Sequence, residues 1–245
     1  GEYIALLNND TEVDPRWLEE LVSALERRPE TGFCASKMLN FYRRNIIDTA
    51  GDGFSRYGLA FKRGARREDG PEYNREEYVF GACAGAAVYR RELFEEVGLF
   101  DEDFFAYLED VDLSFRAQLK GFRCLYVPTA VVYHMMGGTS GGRSYSLGRM
   151  AGKVANKLFV VIKDMPSRLL LANLPRILFA FSVEGAILLA SLPVRPAIFR
   201  RELYKLRLIP RMLRKRRAIQ RGVKRASVRS MALLFDGGYP MNPLR

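Results

Sequence analysis

The apolar positions of this chain follow two patterns. Up to His134, short apolar runs alternate with polar, Gly-rich stretches; beyond it, longer Leu-rich stretches are punctuated by proline. YIALL (3–7) is too short for a helix and reads as a buried strand of the parallel-sheet type, ending at Asn8, Asn9 and Asp10. Trp17, Leu18, Leu21, Val22 and Leu25 then recur at helical spacing behind Asp14-Pro15, which predicts a helix with Asp14 as N-cap and Pro15 in the first turn. In open α/β sheets, ligands sit in polar turns of this kind at the carboxyl ends of strands. Residues 40–78 give only weak strand signals and read as a long, partly ordered excursion. Tyr78 to Tyr89 is a small-residue strand or turn, followed by a short helix ending at Gly98. Val111, Leu113, Phe115 and Leu119 predict a helix capped near Asp110 and stopped by Gly121, and FRCLYV and AVVYH predict two short strands in a hairpin. MMGGTSGGRS marks a loop, after which the pattern is helical with Pro166, Pro175, Pro193, Pro196 and Pro210 as breaks.

Charge divides the chain at a similar place. The 245 residues carry a net charge of +11, yet Arg195 to Arg229 alone contribute +13, with Glu202 the one acid among them, so a mildly acidic body precedes a strongly basic tail. Cys34, Cys83 and Cys124 are widely spaced and odd in number, which indicates neither a disulfide framework nor a zinc site and fits a reducing compartment. The chain opens with GEYIALLNND, apparently inside a strand, so an N-terminal portion carrying further strands is expected to precede it.

The candidate chemistry is acidic. Asp101, Glu102, Asp103, Glu109, Asp110 and Asp112 are six carboxylates within twelve positions, and His134, the chain's one histidine, follows downstream. Carboxylates this close perturb one another and need a cation, strong hydrogen bonds or solvent. Asp101, Glu102 and Asp103 are expected to shape the turn before the helix, and Asp112 to support the helix start through the partial positive charge of its free amides. That leaves Glu109 and Asp110, of which one could stay ionised and act as a general base. Asp10 can bind a divalent cation or cap its turn. His134 can be a hydrogen-bonded structural residue or, with nearby carboxylates, a ligand for Mn or a similar ion.

IALLNNDTEVDPRWLEELV and VFGACAGAAVYRRELFEEVGLFDEDFFAYLEDVDLSFRAQLKGFRCLYVPTAVVYH together resemble the family 2 glycosyltransferases, in particular the bacterial rhamnosyltransferase-like group, over about residues 1–156. The resemblance implies a GT-A α/β fold with a mixed sheet flanked by helices, an inverting mechanism and a nucleoside-diphosphate sugar donor with Mg or Mn. By the same resemblance Asp10 is the metal-binding acid of a DxD-like motif, Asp110 the base with Glu109 beside it, and His134 a metal-contacting histidine. Gly81, Cys83 and Gly85 form a small-residue loop near donor and acceptor, and Asn8 and Asn9 lie on the donor side. The first acid of the DxD is Asn8 here, one charge fewer, and the donor-binding N-terminal strands are absent, so the chain alone is expected to be inactive. Arg143, in the Gly-rich loop, is a candidate second cation for the diphosphate, the other reading being a plain linker.

Residues 157–245 form a separate helical and basic region. The stretch 177–194 carries one charge, Glu184, and is just long enough to reach across a hydrocarbon core. A single crossing would separate the sugar-nucleotide site from the basic stretch, both of which belong on the cytosolic side, so an in-plane or re-entrant helical arrangement on an anionic membrane surface is expected, the other readings being a spanning helix and soluble helices. These readings together predict an enzyme at the cytoplasmic face of the bacterial inner membrane, moving a sugar, with rhamnose as a candidate, onto a polysaccharide or lipid-linked acceptor. The alternatives are a catalytically degenerate transferase-like protein and a binding module that uses the basic tail. No nucleic-acid partner is expected, because the cations are interleaved with Leu, Ile and Met rather than stacking aromatics.

Overall fold

The computed structural model describes residues 1–135, 151 and 153–235. A seven-stranded mixed sheet organises the first half. Its main path is β1 (Tyr3–Leu7), β8 (Ala86–Arg90), β3 (Thr31–Asn40), β9 (Arg123–His134) and β2 (Thr11–Val13), with β4 (Ile47–Thr49) added to β3 and β7 (Glu77–Val79) to β9. Only β3 and β9 run parallel. Helix α1 (Trp17–Arg27) packs Trp17, Leu21 and Leu25 on one face of the sheet; α2 (Arg91–Val97) and α3 (Glu109–Lys120) pack on the other. α1 starts two residues later than expected: Arg16, not Asp14, is its N-cap and makes no side-chain cap bond, while the Asp14 carboxylate accepts from the Arg16 N–H at 2.9 Å in the turn before the helix; α3 ends at Gly121.

Three further expectations change. β1 is not a buried parallel strand: it pairs antiparallel with β8 at the end of the sheet path, and Leu7 is exposed. An apolar run reports burial of side chains on average, not which edge of a ladder is filled. FRCLYV and AVVYH form no hairpin but one twelve-residue strand, because both halves pair with β3. The ladder moves from Ser36–Val127 to Lys37–Val131, so Pro128, Thr129 and Ala130 bulge out, and proline, with no N–H to give the ladder, belongs at such a bulge.

The excursion at 40–78 is ordered, and residues 47–54 are continuously buried. It holds β4, the two-stranded sheet of β5 (Asp52–Phe54) and β6 (Ala60–Lys62), and β7. Ile47, Ala50 and Phe54 fill core positions. Strands of three residues are too short to show a period, which hid them from the sequence.

Beyond the sheet come α4 (Val154–Asp164), α5 (Ser167–Ala172), α6 (Leu174–Ala190), α7 (Pro196–Lys205), α8 (Ile209–Ala218) and α9 (Val228–Leu233). Pro175, Pro196 and Pro210 sit in the first turns of α6, α7 and α8, where a missing N–H costs nothing. These helices share a core with the sheet: Phe54, Phe80, Phe104 and Phe115 pack with Phe159, Met212, Ile219 and Phe235 across the expected boundary at 156. The ring of Phe235 lies 5.4 Å from that of Phe54. Among the described residues no helix is long and apolar enough to cross a membrane.

Candidate functional site

Two groups of side chains meet at the carboxyl-end turns of the sheet. The first is built by β2 and β9. Thr11 pairs with His134, and the Met135 N–H donates to the Asp10 carbonyl at 2.9 Å, so Asp10 is held beside the imidazole with Oδ1 3.5 Å from Nε2. On the other side of the ring, Nδ1 lies 2.8 Å from Oδ2 of Asp48, a buried residue of β4. Lys62 Nζ lies 3.0 Å from each oxygen of the same carboxylate. Burial pushes the Asp48 carboxyl up, but the bond from His134 and the Lys62 ammonium outweigh it and hold the group below its ordinary value.

The second group surrounds the start of α3. Ligand atoms of Asp52, Cys83 and Asp110 all lie within 4.8 Å of one another. Asp110 Oδ1 accepts from the Val111 N–H at 2.9 Å and Oδ2 from the Ala84 N–H at 3.2 Å, which locks the loop 81–85 over the helix terminus. The glycines permit this approach: a Cβ on Gly81 would stand 2.6 Å from Ser114 Oγ, and one on Gly85 would stand 3.2 Å from Asn8 Nδ2. Asn8 is tied to the same loop, its N–H donating to the Gly85 carbonyl at 2.9 Å, while Asn9 is exposed in the turn.

Here burial dominates the electrostatics. The Asp52 carboxyl is pushed up to about 7, by burial first and by the Asp110 charge second. Asp110 is also raised by burial, which the two amides and Lys62 only partly offset. Glu109 is raised by burial and by Asp110, and its Oε2 is buried without a hydrogen-bond partner among the described residues. Burial pushes the Cys83 thiol up to about 12. A proton is therefore easily kept within this group, as a base that must take one up requires.

The loop that leads into Asp110 is strained. Phe105, Tyr107 and Leu108 all have positive φ, between 60° and 70°, a region that non-glycine residues rarely occupy. Asn156, fully buried in α4, holds it: its Nδ2 lies 3.0, 2.9 and 2.8 Å from the carbonyl oxygens of Phe104, Ala106 and Tyr107, which share its two protons.

The remaining acids of the cluster are occupied elsewhere. Asp112 lies in the first turn of α3, as expected, and is also buried against Arg116, 2.8 Å away, and Lys163. Asp101 accepts from the Asp103 N–H, as expected of a turn-former, but also binds Lys163 and Lys215, while Asp103 binds Arg211 and Lys215. Burial raises the Asp101 carboxyl, but the lysines win and bring it down to about 2. The acidic turn is thus the landing site of part of the basic tail.

The structure brings the expected Asp10 to His134, and Asp110 to Cys83, Glu109 and the 81–85 loop. Arg143 lies outside the described residues. Sequence reasoning missed Asp48, Asp52, Lys62 and Asn156; the available signal was DTAGDGF, two acids four residues apart in a small-residue run. Between the two groups, Asp10 and His134 suit a hard divalent cation better. They present an oxygen and a nitrogen toward each other, too far apart to hydrogen-bond, whereas Asp52, Cys83 and Asp110 offer a protonated thiol and stand beside Lys62, which faces Asp52 across β5 and β6.

The chain is similar to known proteins over its first half. The family model described as glycosyl transferase family group 2 matches residues 3–142. The O-antigen biosynthesis protein RfbC of Myxococcus xanthus is 34% identical over 142 residues, covering 55% of this chain and 11% of that protein. The N-acetylglucosaminyl-diphospho-decaprenol L-rhamnosyltransferase of Mycobacterium tuberculosis is 28% identical over 149 residues, covering 54% of this chain and 47% of that protein. An uncharacterised protein, y4gI, of Sinorhizobium fredii is 30% identical over 141 residues, covering 55% of this chain and 15% of that protein. The chain thus spans less than half the length of each of these relatives, and the matched region contains both groups of the site. With more than half of its residues under the family model, the chain belongs to glycosyl transferase family group 2.

Proposed function

We propose that this chain performs the acceptor side of an inverting glycosyl transfer, from a nucleoside-diphosphate sugar to a glycan or lipid-linked acceptor of the cell envelope, with rhamnose as the candidate sugar. The observation that carries this reading is Asp110: a carboxylate aimed by two backbone amides, beside Glu109 and the small-residue loop 81–85. Asp110 takes the proton from the acceptor hydroxyl, which attacks the anomeric carbon from the face opposite the diphosphate, and a single displacement inverts the centre. Asp52 and Glu109, both raised, keep the neighbourhood able to hold that proton. Asp10 and His134 would hold a divalent cation, Mg or Mn, whose chemistry is Lewis-acid neutralisation of the departing diphosphate. Names of the relatives that mention O-antigen and rhamnosyl transfer support the choice of sugar and acceptor class. The test is Asp110→Asn in the full-length protein, assayed with a panel of nucleoside-diphosphate sugars and an N-acetylglucosaminyl-diphospho-lipid acceptor. Transfer is expected to vanish while donor binding persists; retained turnover removes Asp110 from the role.

The same reading includes a membrane-facing surface on the cytoplasmic side of the inner membrane. Helix α6 buries Ile177, Ala180, Glu184 and Leu188 against the protein, with Glu184 paired to Lys157, and leaves Leu178, Phe179, Val183 and Leu189 exposed. Arg168, Arg176, Arg195 and Arg200, in α6 and the segments that flank it in sequence, are also exposed, and exposed cations with an apolar face suit anionic headgroups over an apolar interface. In vesicle flotation, Phe179→Ser with Leu178→Ser is expected to reduce binding to phosphatidylglycerol-rich vesicles several-fold; unchanged flotation counts against the surface.

A further inference from the structure

The chain's one imidazole stands between two carboxylates supplied by different parts of the fold. Asp48 comes from β4 and His134 from β9, which pair with opposite edges of β3, so their 2.8 Å contact spans that strand. Both oxygens of Asp48 also lie 3.0 Å from the Lys62 ammonium, an arrangement suited to the ionised carboxylate. An ionised carboxylate only accepts, so the ring proton belongs on Nδ1. In the neutral ring Nε2 then carries the lone pair and faces Asp10 Oδ1, 3.5 Å away and beyond good hydrogen-bond distance.

Resting on the glycosyl-transfer reading above, we propose that Asp48 is a positioning residue: it holds His134 as the Nδ1–H tautomer and so presents Nε2, with Asp10, to a divalent cation. A carboxylate behind the imidazole is a general means by which proteins orient a metal-binding histidine and raise its basicity. If Asp48 served structure alone, Lys62 would already satisfy both of its oxygens. The further bond to the ring, at the end of the longest strand and beside a second carboxylate, is what a purely structural ion pair leaves unexplained. Lys62 extends the effect, because it also faces Asp52 across β5 and β6, so the orientation of His134 is tied to the group around Asp110.

Because His134 is the one histidine, its ring signals in a ¹⁵N-labelled chain need no further assignment. The wild-type ring is expected as the Nδ1–H tautomer, with signals that broaden on addition of Mn(II). Asp48→Ala is expected to release the ring to the Nε2–H form and to weaken Mn(II) binding, measured by electron paramagnetic resonance, by about 10–100-fold. Asp48→Asn, which keeps an oxygen able to accept, is expected to restore the tautomer. Asp48→Leu with Lys62→Met removes both charges together and repeats the test should the single variant fail to fold. A ring that stays Nδ1–H in the variants lacking an acceptor overturns the positioning role. Wild-type ring signals untouched by Mn(II) overturn the proposal by a separate route, through the cation itself.

Discussion

Asp48 and Asp52 lie four residues apart in one buried segment, share Lys62 as a neighbour, and go opposite ways. The Asp48 carboxyl is held low and the Asp52 carboxyl is pushed up to about 7. Burial acts on both in the same direction, so it does not explain the difference. Asp48 receives two direct donors, the imidazole and the ammonium, whereas Asp52 receives Thr49 Oγ1 at 3.1 Å and faces the like charge of Asp110. One end of the site thus stabilises negative charge and the other resists it.

The contrast can be broken from either end. The largest effect is expected from Asp110→Asn in the full-length protein, which leaves the low-pKa end intact and should lower kcat roughly 10³-fold in a transfer assay with little change in donor affinity. Lys62→Met removes the cation both carboxylates share; with Asp48 buried, it should destabilise the chain by about 3 kcal/mol in urea unfolding. Asn156→Ala acts on the Asp110 end alone. It leaves three carbonyls of the strained loop without their donor, so about 2 kcal/mol of stability and about tenfold in kcat should be lost, with Mn(II) affinity unchanged. The smallest effect is a pH dependence. A raised carboxyl keeps its proton in the folded chain where the unfolded chain has lost it, so the stability Asp52 contributes falls as pH rises from about 4 to about 7. Comparing Asp52→Asn with wild type at pH 6 and pH 8, the difference should move in the variant's favour by about 1 kcal/mol; a constant difference would remove Asp52 as the proton-holding group.

What could be read from the sequence was whatever local chemistry determines. Helix α3 was legible because its apolar period, acidic first turn and Gly121 agree, and Asp110 was legible with it. The breaks at Pro175, Pro196 and Pro210 were legible because proline acts on its own turn. Asp48, Asp52 and Lys62 were not, since their meaning comes from partners on β9 and α3, many residues away. Asn156 looked like one polar residue on an amphipathic helix; only the docking of α4 against the 104–107 loop gives it three acceptors. The FRCLYV and AVVYH segments were correctly seen as extended, but choosing between a hairpin and one bulged strand required knowing that β3 was the neighbour of both.

The landing of the tail on the acidic turn changes how its charge should be counted. Arg211 and Lys215 neutralise Asp101 and Asp103, and Arg216 donates to the carbonyls of Ile162 and Met165 at the end of α4. These cations are committed to internal partners, and they help fasten α8 to the base of the site. Ionic strength should therefore act on the tail in two separate ways: modest salt weakens whatever the outward-facing arginines attract, while the partly buried pairs resist screening. Fewer charges are available to an outside surface than a reading of composition would assign.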